Sequence, residues 1–223
     1  MPSILELKKL TVSRIVEDFN LQLEQGMTAL FKLSGEQEVR TILQVLTGKL
    51  LPDSGSVLLD QTDLAGLDRN KLFKTRHSIG IITAQANLIS NLKVWENITL
   101  PLLYHYGTIP SETADRAMQL LSELGLKNSL WSLPGHLSRA ERIMVTFIRS
   151  VIVSPRLLIY AACLDDLPGQ QREVFLQRVV QLQQQSNAPA ALFMTVADLK
   201  LPAMQPDFLC DLRQNPVQVT RQS

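Results

Sequence analysis

The residues able to do chemistry are few and scattered. Asp165 and Asp166 stand side by side, and paired carboxylates can hold a cation or polarise a water. They also lie just ahead of Pro168-Gly169, where loop residues are usual, and they read as loop carboxylates. His77, His105 and His136 are far apart, and each reads as a surface residue rather than a catalytic one. Cys163 and Cys210 lack CxxC spacing, so neither a disulfide framework nor a zinc site is indicated. Ser138 and Glu141 have the Ser-x-x-Glu spacing of a capping box and open a helix. Glu38 stands near another helix N-terminus, where an anionic side chain is favourable.

The elements that would carry these residues can be read from periodicity. Leu5, Leu7, Leu10 and Val12 form a mostly alternating pattern, and Phe19, Leu21 and Leu23 form a second, as half-buried strands do. Short apolar runs predict strands at Met27–Leu33, Ser56–Asp60, Ile79–Thr83, Leu157–Ala162 and Ala190–Val196, with Phe208–Leu212 and Val217–Val219 as a terminal hairpin. Helical spacing marks Thr41–Leu50, Ser111–Leu124, the stretch from Ser138 to Pro155, and Gln170–Gln185. Strand–helix alternation interrupted by one helical block, about Val94 to Val153, implies an α/β core carrying a helical insertion.

Composition excludes several classes. Twenty-two Lys and Arg against 21 Asp and Glu leave a net charge of +1, so no bulk field favours nucleic acid. No uncharged apolar run approaches the ~20 residues of a membrane span, and the N-terminal MPSILELKKL lacks a signal-peptide layout. A reducing, cytosolic compartment is expected. Charged residues are 19% and hydrophobic ones 45%, which suggests apolar surface covered by a partner. Glycine is scarce, with ten in 223 residues.

Several phrases, in this order and spacing, carry a resemblance. They are Gln25-Gly26, Thr41-Ile-Leu-Gln-Val-Leu-Thr-Gly48, Leu51-Pro-Asp-Ser-Gly-Ser-Val57, Ile79-Gly80, Glu96-Asn97-Ile98-Thr99-Leu100-Pro101-Leu102, Leu137-Ser138 and Ser154-Pro-Arg-Leu-Leu-Ile159. The chain resembles the nucleotide-binding subunit of ATP-binding-cassette (ABC) transporters, most of all those of lipoprotein-release and macrolide-export type. The resemblance implies an α/β fold. Its core would be P-loop-NTPase-like (RecA-like), with antiparallel strands at the N-terminus and an inserted α-helical subdomain. One domain would span 1–223, with the core at about 1–85 and 154–223 and the helical subdomain at about 86–153.

The family's chemistry falls on unsuitable residues. Its phosphate loop needs glycines, a Lys and a magnesium-binding Ser or Thr. Aligned on Gly26 and Gly48, the Lys position is Val39 and the glycine positions are Leu33, Glu36 and Glu38. Arg40 replaces the Ser/Thr, Gly35 falls between the glycine positions, and only Thr41 keeps the family identity. A one-residue slip that lets Arg40-Thr41 imitate Lys-Thr breaks both anchors. The metal-binding Asp and general-base Glu align with Ala161 and Ala162, and the glutamine beside the metal with Ala84, Gln85 being one place late. The switch histidine aligns with Ala197 and the adenine-stacking aromatic near Arg14. The LSGGQ signature reads Leu137-Ser138-Arg139-Ala140-Glu141, so Ser138 survives while Arg139 and Glu141 displace the approach to phosphate.

The resemblance therefore implies an inactive cassette-like subunit, with no cofactor expected. It would bind a membrane permease from the inner face of the plasma membrane, with Trp95 and Tyr104 as contact candidates. It would pair with itself or with an intact cassette, and no nucleic acid is expected. One alternative is an ATPase with atypical motifs, active alone or with an intact sister and using ATP and magnesium. Another is a soluble regulatory protein without a membrane partner.

Overall fold

A computed structural model describes residues 3–165, 167–198 and 205–221; Asp166 and the side chain of His105 lie outside the described residues. Alternation makes the first sheet. Strand β1 (Ser3–Val12) pairs antiparallel with β2 (Val16–Glu24) and β4 (Ser54–Leu59), and β5 (Thr62–Asp63) adds to β4. The three-residue step from Leu7 to Leu10 breaks strict alternation because a register shift lies between them, with Lys9 at φ 46°. Gly55 crosses this bulge at φ 79°, and a Cβ there would come within 2.2 Å of the Lys9 carbonyl oxygen. That contact explains the glycine in the Pro-Asp-Ser-Gly phrase.

Fully apolar strands make the second sheet. Its order is β10 (Gln218–Arg221), β9 (Phe208–Asp211), β3 (Thr28–Lys32), β8 (Ala190–Thr195), β7 (Leu157–Ala161), β6 (Ile79–Thr83). All pairs are parallel except β9–β10. Such a sheet is buried on both faces, and the side chains of β7 divide accordingly. Leu157, Ile159 and Ala161 enter a core shared with α1 (Glu36–Leu46) and the first sheet. Leu158 and Tyr160 enter a second core, shared with α3 (Val94–Tyr106), α4 (Ser111–Glu123), α5 (Arg139–Val151) and α6 (Gly169–Gln183). There Tyr160 stacks on Phe193 with ring centroids 4.3 Å apart.

Helix α5 lies close against β6. A Cβ at Gly80 would sit 2.6 Å from the Leu158 side chain and 3.1 Å from Ser150, so only glycine admits this approach. Two elements differ from expectation. Helix α1 runs Glu36–Leu46 rather than Thr41–Leu50: it starts earlier because Glu36 and Glu38 occupy positions where glycines would stop a helix, and it ends at the C-cap Thr47, just before Gly48. Helix α2 (Arg69–Arg76) has no apolar period and was not expected; Asp68 caps it by accepting the Lys71 amide at 2.8 Å. Register brings the C-terminal ends of β3, β6, β7 and β8 to one edge of the sheet, the edge where open α/β sheets bind ligands.

Candidate functional site

The segment after β3 decides what this edge can hold. Gly35 is the N-cap of α1, with extended backbone and no side-chain cap. Its carbonyl accepts the amides of Glu38 at 3.1 Å and Val39 at 3.2 Å, so both N–H groups are engaged within the helix. The Glu38 carboxylate folds back and accepts the Ser34 amide at 2.8 Å. The chain thus supplies its own anion at this helix start. Val39 is 5% exposed and its side chain joins the core below, while Arg40 is exposed. The Thr41 hydroxyl donates to the Gln37 carbonyl at 2.9 Å, one turn back.

The neighbouring strand ends complete a small pocket. Glu36, Val39 and Arg40 from α1, Ala84 and Gln85 after β6, and Ala161 at the end of β7 with Ala162 just after it line a cavity of about 70 Å³. Ala84, Ala161 and Ala162 are buried and Gln85 is exposed. Ala162 turns away at φ 52° and donates its amide to the Met194 carbonyl at 2.9 Å. Seven of the residues singled out from sequence therefore converge. Glu38, Thr41 and Ala197 are not among the lining residues. Ala197 is exposed, and its carbonyl accepts the Thr195 hydroxyl at 3.0 Å. Asp165 is structural: its carboxylate accepts the Thr195 hydroxyl and, at 2.9 Å, the Val196 amide.

The Ser138 segment lies in a different cleft, of about 490 Å³, lined with Leu126, Met144, Gln170 and Val174. Ser138 and Glu141 form the expected capping box: the Ser138 amide donates to Glu141 Oε2 at 2.7 Å, and the Glu141 amide to Ser138 Oγ at 3.3 Å. Arg139 is exposed. Arg14 lines a third groove, of about 400 Å³, with Arg213 and Asn215 between the first hairpin and the β9–β10 turn. Close by, Arg213 pairs with Asp198 at 3.1 Å and Asp211 at 2.7 Å, which holds both carboxyls below the usual range. Cys163 and Cys210 are buried thiols, and burial pushes that of Cys210 up to about 12. Among the described residues no group of three or more His, Cys, Asp or Glu is placed to hold a metal.

The contact candidates separate. Tyr104 is 70% exposed, beside exposed Leu103 and Tyr106, and its ring meets Phe73 edge-on at 6.3 Å. Trp95 is half-buried and packs against the core of the helical block. His77 is half-buried against Phe73 at 4.5 Å, and His136 is exposed. Three positioning residues escaped sequence reasoning. Thr146 donates to the Ala86 carbonyl at 2.6 Å, and Arg149 donates to the Asn87 carbonyl at 3.2 Å, which clamps the turn after β6 to α5. Burial holds the Arg149 guanidinium below its ordinary value. Asn97, fully buried, pins residues 89–93 through four side-chain hydrogen bonds.

A parallel sheet with β3 feeding α1, an antiparallel sheet on one side and a helical insertion between β6 and β7 define a P-loop-NTPase cassette fold. Two solved cassettes share it. The structure of cbiO1 from Clostridium perfringens, part of the ABC transporter complex cbiONQ, matches with TM-score 0.77 and 18% identity, covering 95% of this chain and 85% of that one. The dimeric bacterial ABC transporter cassette MJ0796 matches with TM-score 0.78 and 22% identity, covering 93% of each. Residues 40–162 match the family described as ABC transporter, and the chain belongs to it. It is 28% identical to the lipoprotein-releasing system ATP-binding protein LolD 1 of Rhodopirellula baltica, over 78% of this chain and 76% of that protein. It is 29% identical to the methionine import ATP-binding protein MetN 1 of Acinetobacter baylyi, over 76% of this chain. It is 24% identical to the intermembrane phospholipid transport system ATP-binding protein MlaF of Haemophilus influenzae, over 71% of this chain. The chain spans 48% of that MetN 1 and 61% of that MlaF.

Proposed function

We propose that this chain is a catalytically inactive cassette subunit that acts by binding a membrane permease at the cytoplasmic face of the plasma membrane. The observation that carries the reading is the first turn of α1. A phosphate nest needs free amides and positive-φ glycines; here the amides of Ser34, Glu38 and Val39 are taken up within the chain. Magnesium triphosphate does not fit this arrangement. Glu36 and Glu38 repel it, the ammonium position is a buried valine, and Ala161 and Ala162 offer no oxygen to a metal or to an attacking water. Neither nucleotide nor magnesium is therefore a cofactor, and the fold serves as a docking body alone or beside another cassette.

Nucleotide binding is tested by thermal unfolding. A ligand at a hundredfold excess over its Kd adds about 2.7 kcal/mol, roughly 5–11 °C for a domain of this size. Millimolar ATP with magnesium should leave Tm unchanged. A magnesium-dependent rise overturns the reading and favours an active ATPase.

The partner is tested at Tyr104. Truncating a central interface aromatic typically weakens binding about thirtyfold. Tyr104→Ala should therefore lose the permease in pull-downs from detergent-solubilised host membranes, while Tyr104→Phe keeps it. Recovery of no integral membrane protein by the unmodified chain assigns the fold to a soluble regulator instead.

A further inference from the structure

A net charge of +1 conceals one strongly basic face. Arg69, Lys71, Lys74 and Arg76 make up half of the eight residues of α2, and the helix has no acidic residue of its own. Its inner side is fixed to the core. Leu72 packs on the turn at Gly48, where a Cβ would come within 2.9 Å of its δ-methyl, and Arg76 donates its Nε to the Thr47 carbonyl at 2.7 Å. That anchoring leaves Arg69, Lys71, Phe73 and Lys74 exposed, with Lys49 exposed on the turn that Leu72 packs against. Lys71 pairs with the capping Asp68 at 3.5 Å. Among the described residues, Arg69, Lys74 and Lys49 make no ion pair. Phe73 is 46% exposed in the midst of these cations and meets its ring neighbours, His77 and Tyr104, only edge-on.

We infer that this face binds the surface of an anionic phospholipid bilayer. Unpaired cations around a projecting aromatic call for a surface that supplies many negative charges and accepts an apolar ring. A headgroup layer does both. None of the cavities described above is lined by α2. Long, exposed cationic side chains match a broad anionic plane. Each cation near such a surface strengthens attachment roughly fivefold. The inference does not depend on the permease reading, because vesicles contain no permease.

The test is co-sedimentation of the purified chain with vesicles of phosphatidylcholine alone, or with about a third phosphatidylglycerol. The chain should pellet only with the anionic vesicles and be released at about 0.5 M salt, where screening is strong. The triple variant R69Q/K71Q/K74Q should partition on the order of 100-fold less. Phe73→Ser should weaken partition several-fold at unchanged charge. The triple variant should keep the parental Tm, because its altered side chains are exposed, whereas Phe73→Ser should stay folded with a slightly lower Tm, because the ring packs against His77 and Tyr104. Equal binding to both vesicle types overturns the inference, as does a triple variant that binds normally. Failure to bind anionic vesicles, with retention on immobilised polyglutamate, also overturns it and assigns the face to an acidic protein segment.

Discussion

The double variant Ala161→Asp/Ala162→Glu is expected to lose about 3 kcal/mol or more of stability at pH 8 and to hydrolyse no ATP. Both alanines are buried at the closed end of β7, facing Val39 and Ala84 across a cavity of about 70 Å³. Two new carboxylates there lose water and repel each other and Glu36. Arg40 lines the same cavity, but its exposed side chain can offset only one of them. Burial and like charge raise both folded-state pKa values above the unfolded value of ~4. The native state then binds more protons than the unfolded state, so stability falls as pH rises through and beyond ~4. Thermal melts should show a deficit of roughly 6–12 °C at pH 8 for 3 kcal/mol, and a smaller one at pH 5. Catalysis stays absent because the amides of Glu38 and Val39 remain in the helix. Magnesium-dependent turnover by this variant means that the phosphate loop works despite its sequence.

Those four residues also mark what could be read from sequence. Their convergence was legible, because parallel strands must end on one edge and the spacing of Gly26 and Gly48 fixed which residues follow β3. The closure of the loop was not. Periodicity placed the start of α1 at Thr41, since apolar residues begin there, whereas the polar Glu36-Gln37-Glu38 turn is helical by propensity and by hydrogen bonds to Gly35. The same blindness hid α2, whose residues are charged and give no apolar stripe. The family resemblance and aromatic type together made Trp95 and Tyr104 contact candidates. Burial separates them, because a tryptophan at the first turn of α3 reaches back over the core while Tyr104, near its end, faces outward. The Ser138 cap was legible because a capping box is local chemistry, complete within four residues. Asn97 was not, since one polar residue in an apolar helix says nothing of the loop it will meet.

Asn97 carries the second large effect. Its Oδ1 accepts the Ile89 amide at 2.8 Å. Its Nδ2 donates to the carbonyls of Ile89 at 3.0 Å, Leu92 at 2.9 Å and Lys93 at 3.2 Å. Glu96 assists by accepting the Lys93 amide at 2.7 Å. Asn97→Leu keeps the volume but leaves the Ile89 amide and the Leu92 carbonyl without their side-chain partner, whereas the carbonyls of Ile89 and Lys93 keep the amides of Leu92 at 3.2 Å and residue 97 at 2.9 Å. At 1–3 kcal/mol for an unmet buried group, and with some relaxation, the loss should be about 3 kcal/mol. Urea unfolding should show it as a lower midpoint at unchanged slope, equally at pH 5 and pH 8. Asn97→Asp makes the contrast. A carboxylate can still accept from Ile89, but it sets a buried charge against three carbonyl oxygens, which raises its folded pKa. Its deficit should therefore grow from pH 5 to pH 8, because stability is lost as pH rises above the unfolded carboxyl value. Hydrogen exchange at the Ile89 amide should quicken in Asn97→Leu well before global unfolding. If that amide stays protected and the midpoint holds, the loop is ordered by its own packing, and Asn97 is only a satisfied polar group rather than the residue that shapes this surface.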